Sequence, residues 1–180
     1  MYYYINSFYL YSFLGYIYEN LLHLIIKGKF LKNVLYEPIK PIYGIGVIII
    51  IIIERFIFNR IKVSKRLKIF LVFITTIVVL TALEGISGVI LEKLVHKVLW
   101  NYSDMKFNLG KYICLEVSFV WGIMSIVFLY VLKPFFDKVL KKIPVLFSNI
   151  MLIITITDIL LSLIIRSLLL VDFFYVHFFF

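Results

Sequence analysis

IFLVFITTIVVLTALEGISGVILE, from Ile69 to Glu92, decides the fold of this chain. Between Lys68 and its last residue it carries a single charge, Glu84. As a helix at about 1.5 Å per residue it reaches about 36 Å, enough to cross about 30 Å of hydrocarbon. Four more apolar stretches bounded by charge clusters lie at residues 2–26, 39–58, 112–132 and 145–165. The pattern predicts an all-α, polytopic transmembrane helix bundle of about five spans, a single integral membrane domain over residues 1–180. The second span is the shortest, because only 13 residues, Pro41 to Ile53, are free of charge; Glu54 and Arg55 must then sit near an interface. Its six isoleucines, Ile48 to Ile53, have no polar face and should meet lipid or pack passively.

Composition supports this class and excludes others. Of 180 residues 63% are hydrophobic and 16% charged, with mean hydropathy +1.06, more apolar surface than a soluble domain can hide. The formal charge of +9 would suit nucleic acid, but the basic residues fall between apolar runs. They read as charge for lipid headgroups and topology, so the expected partner is a lipid bilayer and not a nucleic acid. Loops two and four together hold ten basic residues and loops one and three eight, which narrowly favours loops two and four in the cytoplasm. Cys114 stands alone, so no intrachain disulfide and no Cys/His metal spacing can form. The N-terminus MYYYINSFYLYSFLGYIY has no charged side chain before Glu19 and no basic leader region, and reads as a retained first span. The wealth of Ile, Lys, Phe, Tyr and Asn suits an AT-rich bacterial genome, hence a bacterial plasma membrane. The final DFFYVHFFF, with His177, is too short to span again and is expected at the interface.

Ionised side chains are costly in hydrocarbon, so acids within spans mark function first. Four qualify: Glu19, Glu84, Glu116 and Asp158, with Glu54 and Glu92 at span ends. Strict alternation puts all four in the half nearer loops one and three, where they could line one vestibule. Ser12, Tyr16, Glu19, Asn20 and His23 recur at spacings of three and four, a polar face expected to point into the bundle. Glu19 and His23, at i and i+4, could share a proton, although a packing hydrogen bond is the commoner use. Gly85, Ser87 and Gly88 beside Glu84 are small enough to let a neighbouring helix come close. In loop one Pro38 and Pro41 prevent a regular helix, and Gly44 and Gly46 allow close backbone approach. Loop three mixes Trp100, Tyr102, Asp104, Phe107 and Asn108, as an ordered interfacial cap would.

FLGYIYE at Phe13 to Glu19, LYEPIKPIYGIG at Leu35 to Gly46, LEGISGVILEKLVHKVLWNYSDMKFNLGKYICL at Leu83 to Leu115 and VWG at Val120 to Gly122 carry a resemblance. Together, over about residues 7 to 135, they resemble the ABC-transporter type IV (CmpB-like) permeases, a family of small bacterial membrane proteins. The resemblance implies that Glu19, Pro38, Pro41, Tyr43, Gly44, Glu84, Gly88, Glu92, His96, Tyr102, Ser103, Asp104, Asn108, Cys114, Trp121 and Gly122 occupy recurring family positions. Departures fall at Glu37 and Lys40, where the family usually has Gly and Cys, and at Lys111 and Tyr112, where it has Gly-Arg. Glu37 and Lys40 could form a local ion pair.

The chain has no G-x-x-x-x-G-K-[ST], so a permease of this kind needs a separate ATPase subunit. No catalytic motif, cofactor site or metal-ligand cluster is expected. Three functions compete. The first is a permease-like transporter subunit for a small solute, working through Glu19, His23, Glu84, Glu92, His96, Asp104, Asn108, Glu116 and Asp158 and the loop motif Pro38, Pro41, Tyr43 and Gly44. The second is a noncatalytic membrane scaffold or assembly partner, which could self-associate as a homo-oligomer. The third, least favoured, is an intramembrane enzyme acting on lipid or envelope substrates through Glu84, Glu92, His96 and Asp104.

Overall fold

The computed structural model describes residues 1–30, 35–96 and 98–178. Among them the chain is a transmembrane-helix bundle with one two-stranded hairpin. Helix α1 (Tyr2–Lys27) ends at Gly28, whose left-handed backbone returns its N–H to the Leu24 carbonyl. Helix α2 (Pro41–Ile53) begins with Pro41 in its first turn, where the missing N–H costs nothing. The shortfall expected in this span is made good by a π turn, Glu54–Phe58, which extends the rod to 18 residues. Helix α3 (Lys65–Val95) starts where the Ser64 hydroxyl accepts the Leu67 N–H at 3.3 Å.

Strands β1 (Asn108–Leu109) and β2 (Ile113–Cys114) pair antiparallel, Asn108 opposite Cys114, around a turn containing Gly110 at φ +69°. Helix α4 (Leu115–Val127), a π turn (Phe128–Leu132) and α5 (Lys133–Leu140) follow without a break, then α6 (Val145–Phe178). The fourth rod is therefore 115–140, not 112–132. Tyr112 belongs to the hairpin, and the chain stays helical through Pro134 because the π turn before it accommodates a residue that cannot donate. Lys133 and Lys138, which the sequence places in a loop, lie on this rod. The backbone of the aromatic tail continues α6 to Phe178, while the side chains whose interfacial position was expected lie outside the described residues.

Among the described residues four rods are long and apolar enough to cross a membrane: Pro41–Phe58, Lys65–Leu94, Leu115–Leu140 and Val145–Ile165. Helix α1, about 39 Å long, matches them in length but is interrupted by polar residues. It buries Asn6, Ser7, Ser12 and Asn20 and exposes Phe13, Ile17, Leu21 and Ile25, the inverse of a soluble amphipathic helix. The core gathers Tyr11, Ile50, Ile51, Phe58, Val72, Leu80, Phe128, Leu129 and Leu140. The isoleucine run divides, with Ile50 and Ile51 inside this core and Ile52 facing out.

Glycines set the closest approaches. A Cβ on Gly44 would collide with Ser12 and the Phe8 carbonyl, so α1 and α2 nearly touch there, and one on Gly122 would meet Phe73 of α3 at 2.6 Å. Gly85 and Gly88 do not admit another helix. They admit Ile113 and Tyr112 of the hairpin, so these small residues seat the cap on α3.

Candidate functional site

Glu84 projects from α3 and is 4% exposed. The Tyr102 hydroxyl donates to its Oε1 at 2.8 Å and the Trp121 indole N–H to its Oε2 at 3.2 Å. Among the described residues no basic side chain pairs with it. A carboxylate in an apolar bundle is thus held by two neutral donors, one from loop three and one from α4.

Several contacts aim those donors. Asn108 Nδ2 donates to the Tyr102 carbonyl at 3.0 Å and to the Ser103 carbonyl at 2.6 Å, and the Tyr102 N–H reaches the Lys111 carbonyl at 2.8 Å. Burial, with Glu84 beside it, raises the Tyr102 hydroxyl above its ordinary pKa, so it remains a proton donor. Trp121 meets Tyr43 edge to face at 5.5 Å, and Tyr43 meets Tyr18 at 6.2 Å. Thr81 and Ser118 add a 2.7 Å hydrogen bond between α3 and α4.

Tyr43 also lies beside Glu19 of α1. Glu19 forms an ion pair with Lys40 at 2.7 Å, and the Lys40 N–H donates to the Ser12 carbonyl at 2.9 Å. A polar and aromatic chain therefore runs Lys40, Glu19, Tyr43, Trp121, Glu84, Tyr102, linking α1 to α4 and both loops on this side. The Glu37 and Lys40 pair suggested by their spacing does not form: Lys40 turns to Glu19, and Glu37 accepts from Thr155 of α6 at 2.7 Å. Pro38 fixes the bend between them, where the Ile39 N–H returns to the Glu37 carbonyl at 2.8 Å.

The other expected acids each have partners of their own. Asp158 is 5% exposed and accepts the backbone N–H groups of Tyr36 (3.0 Å) and Glu37 (2.6 Å) and the Ser162 hydroxyl (2.9 Å). It clasps loop one. Glu116, in the first turn of α4, accepts from the Cys114 thiol at 2.6 Å. Glu92 takes Lys111 at 2.7 Å and the Tyr112 hydroxyl at 2.5 Å, pinning the hairpin to α3 and raising the Lys111 ammonium pKa. His23 is not joined to Glu19: its Nδ1 lies 2.6 Å from the Lys29 carbonyl and carries the proton there. His96 ends α3 at φ 53°, and it and Asp104 are exposed, apart from Glu84.

Sequence reasoning missed a second cluster at the opposite end. Lys133 lies 3.5 Å from Glu54 and 3.1 Å from Asp137, whose other oxygen accepts from the Tyr3 hydroxyl at 2.7 Å. The i,i+4 spacing of Lys133 and Asp137 was the available signal.

Such features define an integral membrane protein built of packed apolar helices, with a buried acid tied to extramembrane loops. The chain belongs to the family described as "Putative ABC-transporter type IV" (ABC_trans_CmpB), whose pattern matches residues 6–167. That match extends beyond the motifs quoted from the sequence into α6 and includes Asp158. No curated protein and no solved structure matches the chain.

Proposed function

We propose that this chain is a multi-pass, permease-like subunit of a bacterial plasma-membrane transporter, moving a small solute with a separate ATPase subunit. The observation that carries this reading is Glu84, a nearly inaccessible acid with no basic partner among the described residues, bonded to a loop on one side and a helix on the other. Intramembrane acids of this kind are expensive and are commonly retained for a pathway. Family membership supports the same reading. In this scheme α1 is the fifth span. Release of Tyr102 would open Glu84 toward the loop side, and the Glu19–Lys40 pair would move with loop one.

The test is uptake of a panel of small solutes into proteoliposomes holding the chain and any ATPase that co-purifies with it. Glu84→Gln should abolish transport and Glu19→Gln weaken it, while the exposed variant Lys93→Gln leaves it near wild type. Unchanged uptake with Glu84→Gln would end this reading.

One observation favours a second function, a noncatalytic scaffold that could act as a homo-oligomer. Glu84, Asp158 and Lys40 are all satisfied by protein partners, as purely structural groups would be. A scaffold predicts a co-purifying partner retained by Glu84→Gln and no uptake by any form.

A further inference from the structure

We propose that the end of the bundle formed by the second loop, residues 55–68, is a docking face for the phosphate-bearing headgroups of anionic phospholipids. Its anchor is Phe56, which is 52% exposed beyond the last turn of α2. Two guanidinium groups lie over this one ring, Arg55 at 5.9 Å and Arg60 at 5.6 Å from its centroid. Cation–π contact holds both forks beside an apolar wedge. Arg55 is further fixed by donating to the Tyr4 hydroxyl at 3.2 Å.

The positive charge here is uncompensated. Glu54 and Asp137, the acids at this end, are both drawn to Lys133. Arg55, Arg60, Lys62, Lys65 and Arg66 are exposed, and none pairs with a carboxylate among the described residues. At the opposite end Lys40 and Lys111 are each neutralised by an acid.

Lipid is favoured over other anions because apolar groups are interleaved with the charges. Ile57, Ile61, Val63 and Leu67 are also exposed along the same segment. A soluble acidic partner would not require a row of aliphatic side chains, whereas the boundary between headgroups and acyl chains accommodates both kinds. Arginine forks match phosphate oxygens bidentately. The face lies where two apolar rods, α2 and α3, leave the hydrocarbon.

The experiment reconstitutes the full chain in phosphatidylcholine bilayers containing a minor share of phosphatidylglycerol, extracts it in polymer-bounded discs and measures the share of phosphatidylglycerol retained. Wild type should be enriched over the bulk. Each basic residue near a charged surface is worth about fivefold in attraction, so Arg60→Gln/Lys62→Gln/Lys65→Gln/Arg66→Gln should lower the affinity by at least about tenfold. Lys27→Gln/Lys29→Gln/Lys93→Gln, at the other end, should retain it. Should the fourfold variant fail to insert, wild type alone decides: raising salt from about 0.1 M to about 1 M shortens screening from about 10 Å to about 3 Å and must erase the enrichment. Three results overturn the proposal: enrichment that survives the fourfold variant or high salt, displacement of the lipid by millimolar inorganic phosphate, or binding of soluble polyglutamate without any phosphatidylglycerol preference.

Discussion

The two ends of the bundle solve the problem of a carboxylate near hydrocarbon in different ways. At the loop two end a cation sits between two acids, Lys133 with Glu54 and Asp137, on rods that continue through π turns. At the loop one and loop three end Glu84 has no cation among the described residues and relies on a phenol and an indole. The first arrangement joins helix to helix. The second joins a helix to a loop as well, so its integrity rests on how that loop is seated. The contrast sets a fixed end of paired helices beside an end held through loops.

The largest effect should come from breaking the fixed end. Removing one partner of a buried ion pair costs about 3–5 kcal/mol, but Lys133 retains 19% exposure and its partners slightly more. Lys133→Met should therefore lose roughly 2–3 kcal/mol, read from denaturant unfolding in micelles. Adding Glu54→Gln and Asp137→Asn should restore much of it. Next comes Glu84→Gln, whose amide cannot accept from both donors and leaves one of them unsatisfied, a loss of about 1–3 kcal/mol. A cost above that of Lys133→Met would reverse the contrast. Tyr102→Phe should cost about 1 kcal/mol and, more tellingly, speed amide exchange in residues 98–109 while α3 stays protected. Equal deprotection of α3 would show that the cap is not separable. The smallest effect belongs to Lys111→Gln, whose pair with Glu92 is solvent-exposed. Its thermal midpoint should not move measurably.

Hydropathy made the rods legible, because transfer into hydrocarbon is a property of a window and not of any partner. Glu19 and Glu84 could be picked out for the related reason that an acid stands out against such a window. What they bind was not legible. Tyr102 lies 18 residues from Glu84 and Trp121 lies 37, and no periodicity links positions across a hairpin. Strands of two residues carry no alternation to read, so Gly85 and Gly88 looked like a seat for a helix when they seat Tyr112 and Ile113. Lys133 was misplaced because its charge was read as the end of a span, whereas pairing with Glu54 and Asp137 and a π turn keep the helix running. The four departures from the family pattern, Glu37, Lys40, Lys111 and Tyr112, proved informative in a way the motif could not show. Each makes a polar contact beside the candidate site: Glu37 with Thr155, Lys40 with Glu19, and the last two with Glu92.

The clasp of Asp158 on the backbone of Tyr36 and Glu37 closes across more than a hundred residues, and Ser148 donates to Asn6 across a still longer separation, at 2.6 Å. During synthesis, then, Asn6 and the backbone N–H groups of Tyr36 and Glu37 gain these partners only after α6 has been made. The last rod should therefore complete the seating of the first loop. A chain halted before Val145 should expose the segment around Tyr36 to protease, and the full chain should shield it only after α6 has been inserted.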